Sequence, residues 1–164
     1  EARALPSPRR WDDAPLPELV DYLLVHHHRP LDSELPRLSA LINKVCSVHH
    51  DREPERFDAL RSTWRALVDD LLPHMVKEEQ VLFPWITAGH GADAGGPIQV
   101  MEEEHIVVGA LLAQLRRLTD DYQPPAEACG SWRALWSGLE ALETDLHTHI
   151  HLENNVLFPR ALQE

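Results

Sequence analysis

Two short segments of the sequence each carry a histidine and a glutamate four residues apart, and both residue types are common metal ligands. The first segment, HMVKEEQVLFP, spans residues 74–84, and the second, HIHLENNVLFP, spans residues 149–159. Six of the eleven positions are identical, all at a constant offset of 75 residues. The two segments are therefore predicted to be related copies, with His74 and Glu78 in one helix and His149 and Glu153 in another.

The repeated histidine and glutamate are predicted to face the protein core. A spacing of four residues puts both side chains on one face of a helix, and that face continues into Val81, Leu82, Val156 and Leu157. Unpaired charges buried there would be strongly destabilising. Two facing glutamates would also raise each other's pKa unless a cation lay between them. A bound metal ion would supply that cation.

Single histidines on two further helical stretches complete the predicted site. His28 precedes His74 by 46 residues and His105 precedes His149 by 44, so the two halves of the chain have nearly equal spacing. We predict that two carboxylates bridge two metal ions, with His28 and His149 on one ion and His74 and His105 on the other. These nitrogen and oxygen ligands favour two non-haem iron ions, bridged in addition by an oxo or hydroxo group. The predicted ligands are His28, His74, Glu78, His105, His149 and Glu153.

Four amphipathic helical stretches can position these ligands. Good helix formers (Leu, Ala, Glu and Arg) dominate the sequence, and alternating β-branched runs are absent. Pro30 and Pro36 are predicted to kink or split the first stretch. Long helices joined by short loops predict an all-α fold, an up-down-up-down four-helix bundle with the site in its core. The predicted stretches are 16–49, 54–88, 97–122 and 127–162, with 1–15 a linker or N-terminal arm and 16–164 one domain.

The composition excludes several classes of function. The length of 164 residues suits one domain. The formal net charge of −12 would repel nucleic acids and anionic membranes, and no apolar run is long enough to span a bilayer. Residues 1–10 lack the apolar core of a signal peptide, and two cysteines fit a reducing compartment. The sequence therefore predicts a cytoplasmic protein with no nucleic-acid or membrane partner.

Most of the other histidines are predicted to lie outside the site. His26 and His27 adjoin His28, and one helical turn cannot aim three consecutive side chains at one point. Both are predicted surface residues, although a register shift of one residue would make either of them the ligand instead of His28. The remaining surface or loop histidines are predicted to be His50, His90, His147 and His151.

Two alternatives concern the acidic residues and the cysteines. Glu79 and the run 102–104 are predicted to be solvated. Glu102 and His105 do form a Glu-x-x-His pair, which is typical of ferritin-like sites, but those sites need the pair twice and it occurs once here. Cys46 and Cys129 are predicted to be buried or inert.

The ligand pattern resembles hemerythrin-like di-iron bundles, and more specifically the Repair of Iron Centres family of nitric-oxide stress proteins. This resemblance extends from about residue 11 to the end. It implies the six ligands named above, and it also includes His49, which lies 21 residues after His28, or about 31 Å along an unbroken helix. His49 is therefore placed outside the metal ligands. The matching segments are 34–36, 44–45, 48–49, 77–84, 96–98, 100–101, 104–105, 124–125, 127–129, 132 and 152–160.

One departure from the oxygen-carrying hemerythrins bears on function. Those proteins resemble this pattern but have a fifth histidine one turn from the third-helix ligand, where this chain has Met101 and Gly109. The resemblance implies a stress-response protein that repairs damaged iron–sulfur centres by donating iron, or that binds nitric oxide and reduces it, with iron–sulfur proteins as recipients. Members of the family usually carry an upstream domain with a cysteine pair, and activities that need it are not predicted from these residues. The alternatives are a dioxygen or nitric oxide sensor without catalysis and a carboxylate-rich dimetal oxidase.

Overall fold

The computed structural model describes residues 11–164, and these residues form four helical arms and no strand. The all-α four-helix fold predicted from the sequence is confirmed. The arms run α1 Leu16–Leu23 with α2 Leu31–His49, α3 Pro54–Lys77 with α4 Phe83–Thr87, α5 Gly95–Leu118, and α6 Gly130–Leu152 with α7 Phe158–Leu162. Short 3-10 turns follow the first and second arms at His50–Arg52 and Gly91–Asp93.

The two prolines of the first arm have different effects. Pro30 lies at the break between the two helices of that arm, as predicted. Pro36, in contrast, lies inside α2, and the helix continues through it. The neighbouring Leu35 and Leu38 are buried in the core, and this packing holds the helix together across the lost hydrogen bond. Of the predicted kink or split, the split therefore does not occur at Pro36.

Three of the four arms contain a π turn, which the sequence did not predict. The π turns span Leu24–His28, Glu78–Leu82 and Glu153–Leu157. Each turn inserts one extra residue into the helical ladder: the amide of Phe83 donates to the carbonyl of Glu78, and that of Phe158 to the carbonyl of Glu153. The helix is therefore rotated after the turn. Leu82 is buried, but Val81 is 47% exposed, so its predicted core position was wrong.

The interior consists of two apolar clusters with a polar layer between them. We call them the central cluster and the end cluster. Along every arm the chain passes from one cluster to the other, and a predicted ligand marks the crossing. The central cluster includes Leu31, Met75, Val108 and Leu146, and the end cluster includes Leu23, Leu82, Met101 and Leu157.

Part of the predicted N-terminal arm packs on the bundle. Trp11 is buried in the end cluster, its ring lies 4.8 Å from the ring of Tyr22, and its carbonyl accepts a hydrogen bond from Arg160. Residues 1–10 of that predicted arm lie outside the described residues. Among the helices of residues 11–164, none is both long enough and apolar enough to cross a membrane.

Candidate metal centre

The structure brings all six predicted ligands together in the polar layer. His28, Glu78 and Glu153 are fully buried, and the other three histidines are no more than 5% exposed. The π turns contribute to this convergence, because His28 ends the first of them and the two glutamates begin the other two. His105 comes from the middle of the regular helix α5.

The six side chains form two groups that share both glutamates. His28 and His149 belong to one group, and His74 and His105 belong to the other. Within each group, one nitrogen or oxygen atom from every residue lies within 4.8 Å of the others. The four-histidine, two-carboxylate arrangement expected from the sequence is therefore present as geometry.

Each glutamate lies between the two groups. Glu78 Oε1 is 3.2 Å from His74 Nε2 and 3.5 Å from His28 Nε2. Glu153 has the same relation to the other pair, with Oε2 3.6 Å from His105 Nε2 and Oε1 in close contact with His149 Nε2. Every carboxylate thus contacts one histidine from each group, which is the placement that a bridging ligand requires.

The histidine nitrogens and glutamate oxygens of the polar layer are better placed to bind metal ions than to hydrogen-bond with one another. The Nε2 atoms of His28 and His149 are 3.2 Å apart, and those of His74 and His105 are 3.0 Å apart. Two nitrogens bound at right angles to one metal ion, at about 2.1 Å each, would be about 3.0 Å apart. All four carboxylate oxygens are buried without a partner in hydrogen-bond geometry. Because buried oxygens without partners are costly, the donor set suits cations.

The electrostatics of the protein alone separate the two carboxyls. Burial, followed by the nearby charge of Glu78, raises the pKa of Glu153 well above its ordinary value. Burial also opposes ionisation of Glu78, but polar contacts with Glu153 and two histidines outweigh it and hold its pKa well below the ordinary value. At pH values between these two pKa values the metal-free pair therefore holds one proton, and Glu153 carries it.

The imidazoles respond to the same environment. Burial lowers the pKa of His149 well below its ordinary value and lowers that of His105. Burial acts in the same direction on His74, but contact with Glu78 outweighs it and raises the pKa of His74. Neutral imidazoles are the form that binds metal ions.

Polar side chains orient two of the histidines from outside. His28 Nδ1 is 3.0 Å from Glu79 Oε1, and His105 Nδ1 is 2.8 Å from Asn154 Oδ1. Both acceptors fix the outer ring nitrogen as the donor, which leaves Nε2 free for the site. Glu79 also pairs with Arg29, so its predicted role as a solvated acid was wrong.

These orienting residues follow the internal repeat. Glu79 and Asn154 occupy equivalent positions, 75 residues apart. So do Phe83 and Phe158, whose rings pack on His28 and His105 at centroid distances of 5.5 and 6.1 Å. The phenylalanines are identical in the two copies and could be found by alignment of the repeat. The orienting pair could not, because a carboxylate stands in one copy and an amide in the other.

Other sequence predictions have mixed outcomes. His26, His90, His147 and His151 are exposed and His50 is half-buried, as predicted for surface or loop residues. His27 is only 5% exposed, so its predicted surface position was wrong. Within the described residues, neither metal-suited group includes Glu102, so the ferritin-like alternative finds no support.

His49 and the cysteines lie away from the polar layer. His49 is in neither group; its ring packs on Trp132, and its Nε2 lies 3.5 Å from Cys129 Sγ. Cys46 is buried, as predicted, and burial raises its pKa to about 11. Cys129 is exposed, which contradicts a buried position.

Comparison with known proteins agrees with this geometry. The family described as Hemerythrin HHE cation binding domain matches residues 19–161, which include all six clustered residues. The chain belongs to the hemerythrin family. Similar proteins include three named iron–sulfur cluster repair protein YtfE: one from Musicola paradisiaca at 46% identity, one from Yersinia pseudotuberculosis at 44% and one from Escherichia coli at 45%. Each alignment covers 96% of this chain and 71% of the relative. The chain therefore also belongs to the iron–sulfur cluster repair group resembled by its motifs.

Proposed function

We propose that this hemerythrin-family chain holds two non-haem iron ions and takes part in the repair of damaged iron–sulfur centres. The observation that carries the proposal is the pair of two-histidine groups sharing Glu78 and Glu153. The names of the relatives support the repair role. His28 and His149 would hold one ion and His74 and His105 the other. Two ferrous ions bound there, joined further by an oxo or hydroxo group, would supply iron to a recipient protein or coordinate nitric oxide.

The protein's own groups explain why such a site can give up its metal. Neutral histidines and only two carboxylates give the protein's ligands a charge of two minus against four plus for two ferrous ions, so a positive charge remains when the additional bridge is a hydroxo group or is absent. A residual positive charge in a buried layer weakens binding. In addition, Glu153 regains a proton when metal leaves, because its pKa is raised in the protein alone. These features favour iron donation to an iron–sulfur protein as the route of repair.

Nitric oxide reduction is a second candidate, supported by one observation. Met101 is buried and Gly109 offers no ligand, so the structure has no fifth histidine in either described group. The two metal positions are therefore alike, with two histidines and two shared carboxylates each. Equal positions favour binding of one small ligand at each ion, as the coupling of two nitric oxide molecules requires.

We further propose a cytoplasmic location. Cys46 and Cys129 are free thiols in the structure, and both thiols and ferrous iron persist in a reducing compartment.

Metal analysis of anaerobically purified protein tests the site. We expect two irons per chain, and loss of both in Glu78→Ala and in Glu153→Ala, because each carboxylate serves both groups. Glu103→Ala is the matched control, since Glu103 is an exposed acid outside both groups. One zinc per chain in the wild type would overturn the di-iron proposal, and retention of one iron in both glutamate variants would overturn the sharing of each carboxylate by two ions.

A second experiment separates the two candidate activities. The loaded protein is mixed anaerobically either with an apo iron–sulfur protein or with nitric oxide and a reductant. Cluster formation in the recipient without nitrous oxide supports donation, and nitrous oxide without iron transfer supports reduction. If neither occurs while nitric oxide still binds, the repair proposal fails and the sensor alternative replaces it.

A further inference from the structure

A solvent-open groove runs along α6 and ends beside the metal centre. Its volume is about 700 Å³, and its lining extends along α6 from Arg133 to Thr148, or about 22 Å of helix. The lining also includes Tyr122, which precedes α6 in the chain, and His27 from the first arm. Through His27, the groove adjoins the level of the six clustered residues.

His27 is prepared as a metal ligand although it belongs to neither group. Its Nδ1 lies 3.0 Å from Asp145 Oδ1, and a carboxylate can only accept, so Nδ1 carries the proton and Nε2 presents a lone pair. Histidines that bind metal ions are oriented by carboxylates in this way, and Glu79 does the same for His28. His27 Nε2 is nevertheless buried without any hydrogen-bond partner.

The position of His27 connects the groove with the site. Its ring stacks on that of His149, with centroids 5.3 Å apart and an angle of 27° between the planes. Its backbone neighbour is His28, the second histidine of the same group. Asp145, on the groove side, is 37% exposed at its side chain, whereas the His27 side chain is 6% exposed. Asp145, His27 and His149 therefore lie in that order from solvent to the interior.

The equivalent position on the other half of the bundle is different. An offset of 77 residues relates His28 to His105, and the same offset relates His27 to Glu104. Glu104 is neutralised by Lys77, whose Nζ is 2.6 Å from both carboxylate oxygens. Of these two equivalent positions, only His27 therefore offers a nitrogen lone pair without a partner, at Nε2.

We propose that His27, oriented by Asp145, forms a transfer site through which ferrous iron enters and leaves the His28–His149 position. The transfer is an exchange of ligands without any change of oxidation state: the ion is bound by His27 Nε2 while it gains or loses the bonds to His149 and His28, and the Asp145 carboxylate holds the His27 ring through Nδ1. This inference rests on the proposed function as an iron-binding protein. It adds a ligand that the resting site does not need.

The test measures rates of metal movement. Apo-protein is loaded anaerobically with Co²⁺ in one experiment and with Fe²⁺ in another. In both, release of the ion is followed with a chromogenic chelator in excess. His27→Phe keeps a ring for stacking but removes the nitrogen, and we expect loading and release to slow at least tenfold, within the range of about 10- to 100-fold found for residues that support metal ligands. The final stoichiometry should remain two ions per chain. His26→Phe, at the exposed neighbouring position, should load and release like the wild type.

Asp145→Asn provides an independent variant, because Asp145 is partly exposed and its replacement should not disturb folding. We expect it to slow both rates as well, by a smaller factor. Unchanged rates in both variants, with two ions bound by the wild type, would overturn the transfer site and leave the proposed function intact. Failure of the wild type to bind two ions would instead overturn the proposed function.

Discussion

The shared proton of the two buried glutamates should give the metal-free protein a distinctive pH dependence. Glu153 is fully buried, and its pKa in the folded protein lies well above the ordinary value. Between the unfolded and folded pKa values the folded state binds more protons than the unfolded state, so the free energy of unfolding falls as pH rises. The contribution is fully present below the unfolded pKa and is lost as pH rises through the folded pKa.

The slope of this dependence has a fixed upper limit. One proton bound in the folded state and absent in the unfolded state changes the free energy of unfolding by about 1.4 kcal/mol per pH unit. Glu153→Gln keeps the shape of the side chain and cannot titrate. Subtracting its stability curve from that of the wild type should therefore give a line that falls toward high pH, with a slope of up to about 1.4 kcal/mol per pH unit.

Urea unfolding of chelator-treated protein at half-unit steps from pH 5 to pH 8 measures both curves. Glu103→Gln makes the same replacement at an exposed position, and its curve should run parallel to that of the wild type. If the Glu153→Gln curve also runs parallel to the wild-type curve, Glu153 does not hold the shared proton and the electrostatic reasoning is refuted.

Three further perturbations have clear expected outcomes. Glu79→Ala should weaken metal affinity by about 10- to 100-fold because His28 loses its orienting partner, whereas Gln80→Ala, at an exposed position, should leave competition titrations with a chelator unchanged. Gly91→Ala should cost about 1–3 kcal/mol of stability, since the new Cβ would lie 2.5 Å from the carbonyl oxygen of Ala161; Gly96→Ala meets no atom within 4 Å, and an equal fall in its melting temperature would contradict this cause. Ferrous iron at 100 times its dissociation constant should raise the free energy of unfolding by about 2.7 kcal/mol per site, and a stability independent of iron concentration would argue against folded-state binding.

The sequence was sufficient for the fold and for the cluster of six residues. The repeat of histidine and glutamate at a spacing of four identified the inward face of two helices. The nearly equal spacing of His28 and His105 from the repeated histidines placed these two residues at the same level on the other two helices. Both inferences use regular helical geometry. That geometry holds in α3 up to Glu78 and in α6 up to Glu153.

The errors arise where the geometry is irregular. In a regular helix His27 and His28 diverge by about 100°, which favours a surface position for one of them. Both lie in the π turn Leu24–His28, just before the break at Pro30, and both are buried. A π turn is defined by the carbonyl to which each backbone amide donates, so no single residue type predicts it. The same irregularity exposes Val81. Contacts such as that of Asp145 with His27, 118 residues apart, arise from the tertiary fold and have no local pattern.

The polar layer between the two apolar clusters ties the lifetime of the protein to the supply of iron. The end cluster depends on short helices, since α1 has 8 residues and α4 and α7 have 5 each, and helices of this length are not stable alone. Bound ions would connect all four arms at the level of the π turns, where α1 ends and α4 and α7 begin. Without them, we expect the end cluster to open as a subglobal unit while the central cluster stays closed. In an iron-depleted cell, proteases would then cut the segments of the end cluster first. Turnover would therefore remove protein that has already given up its metal.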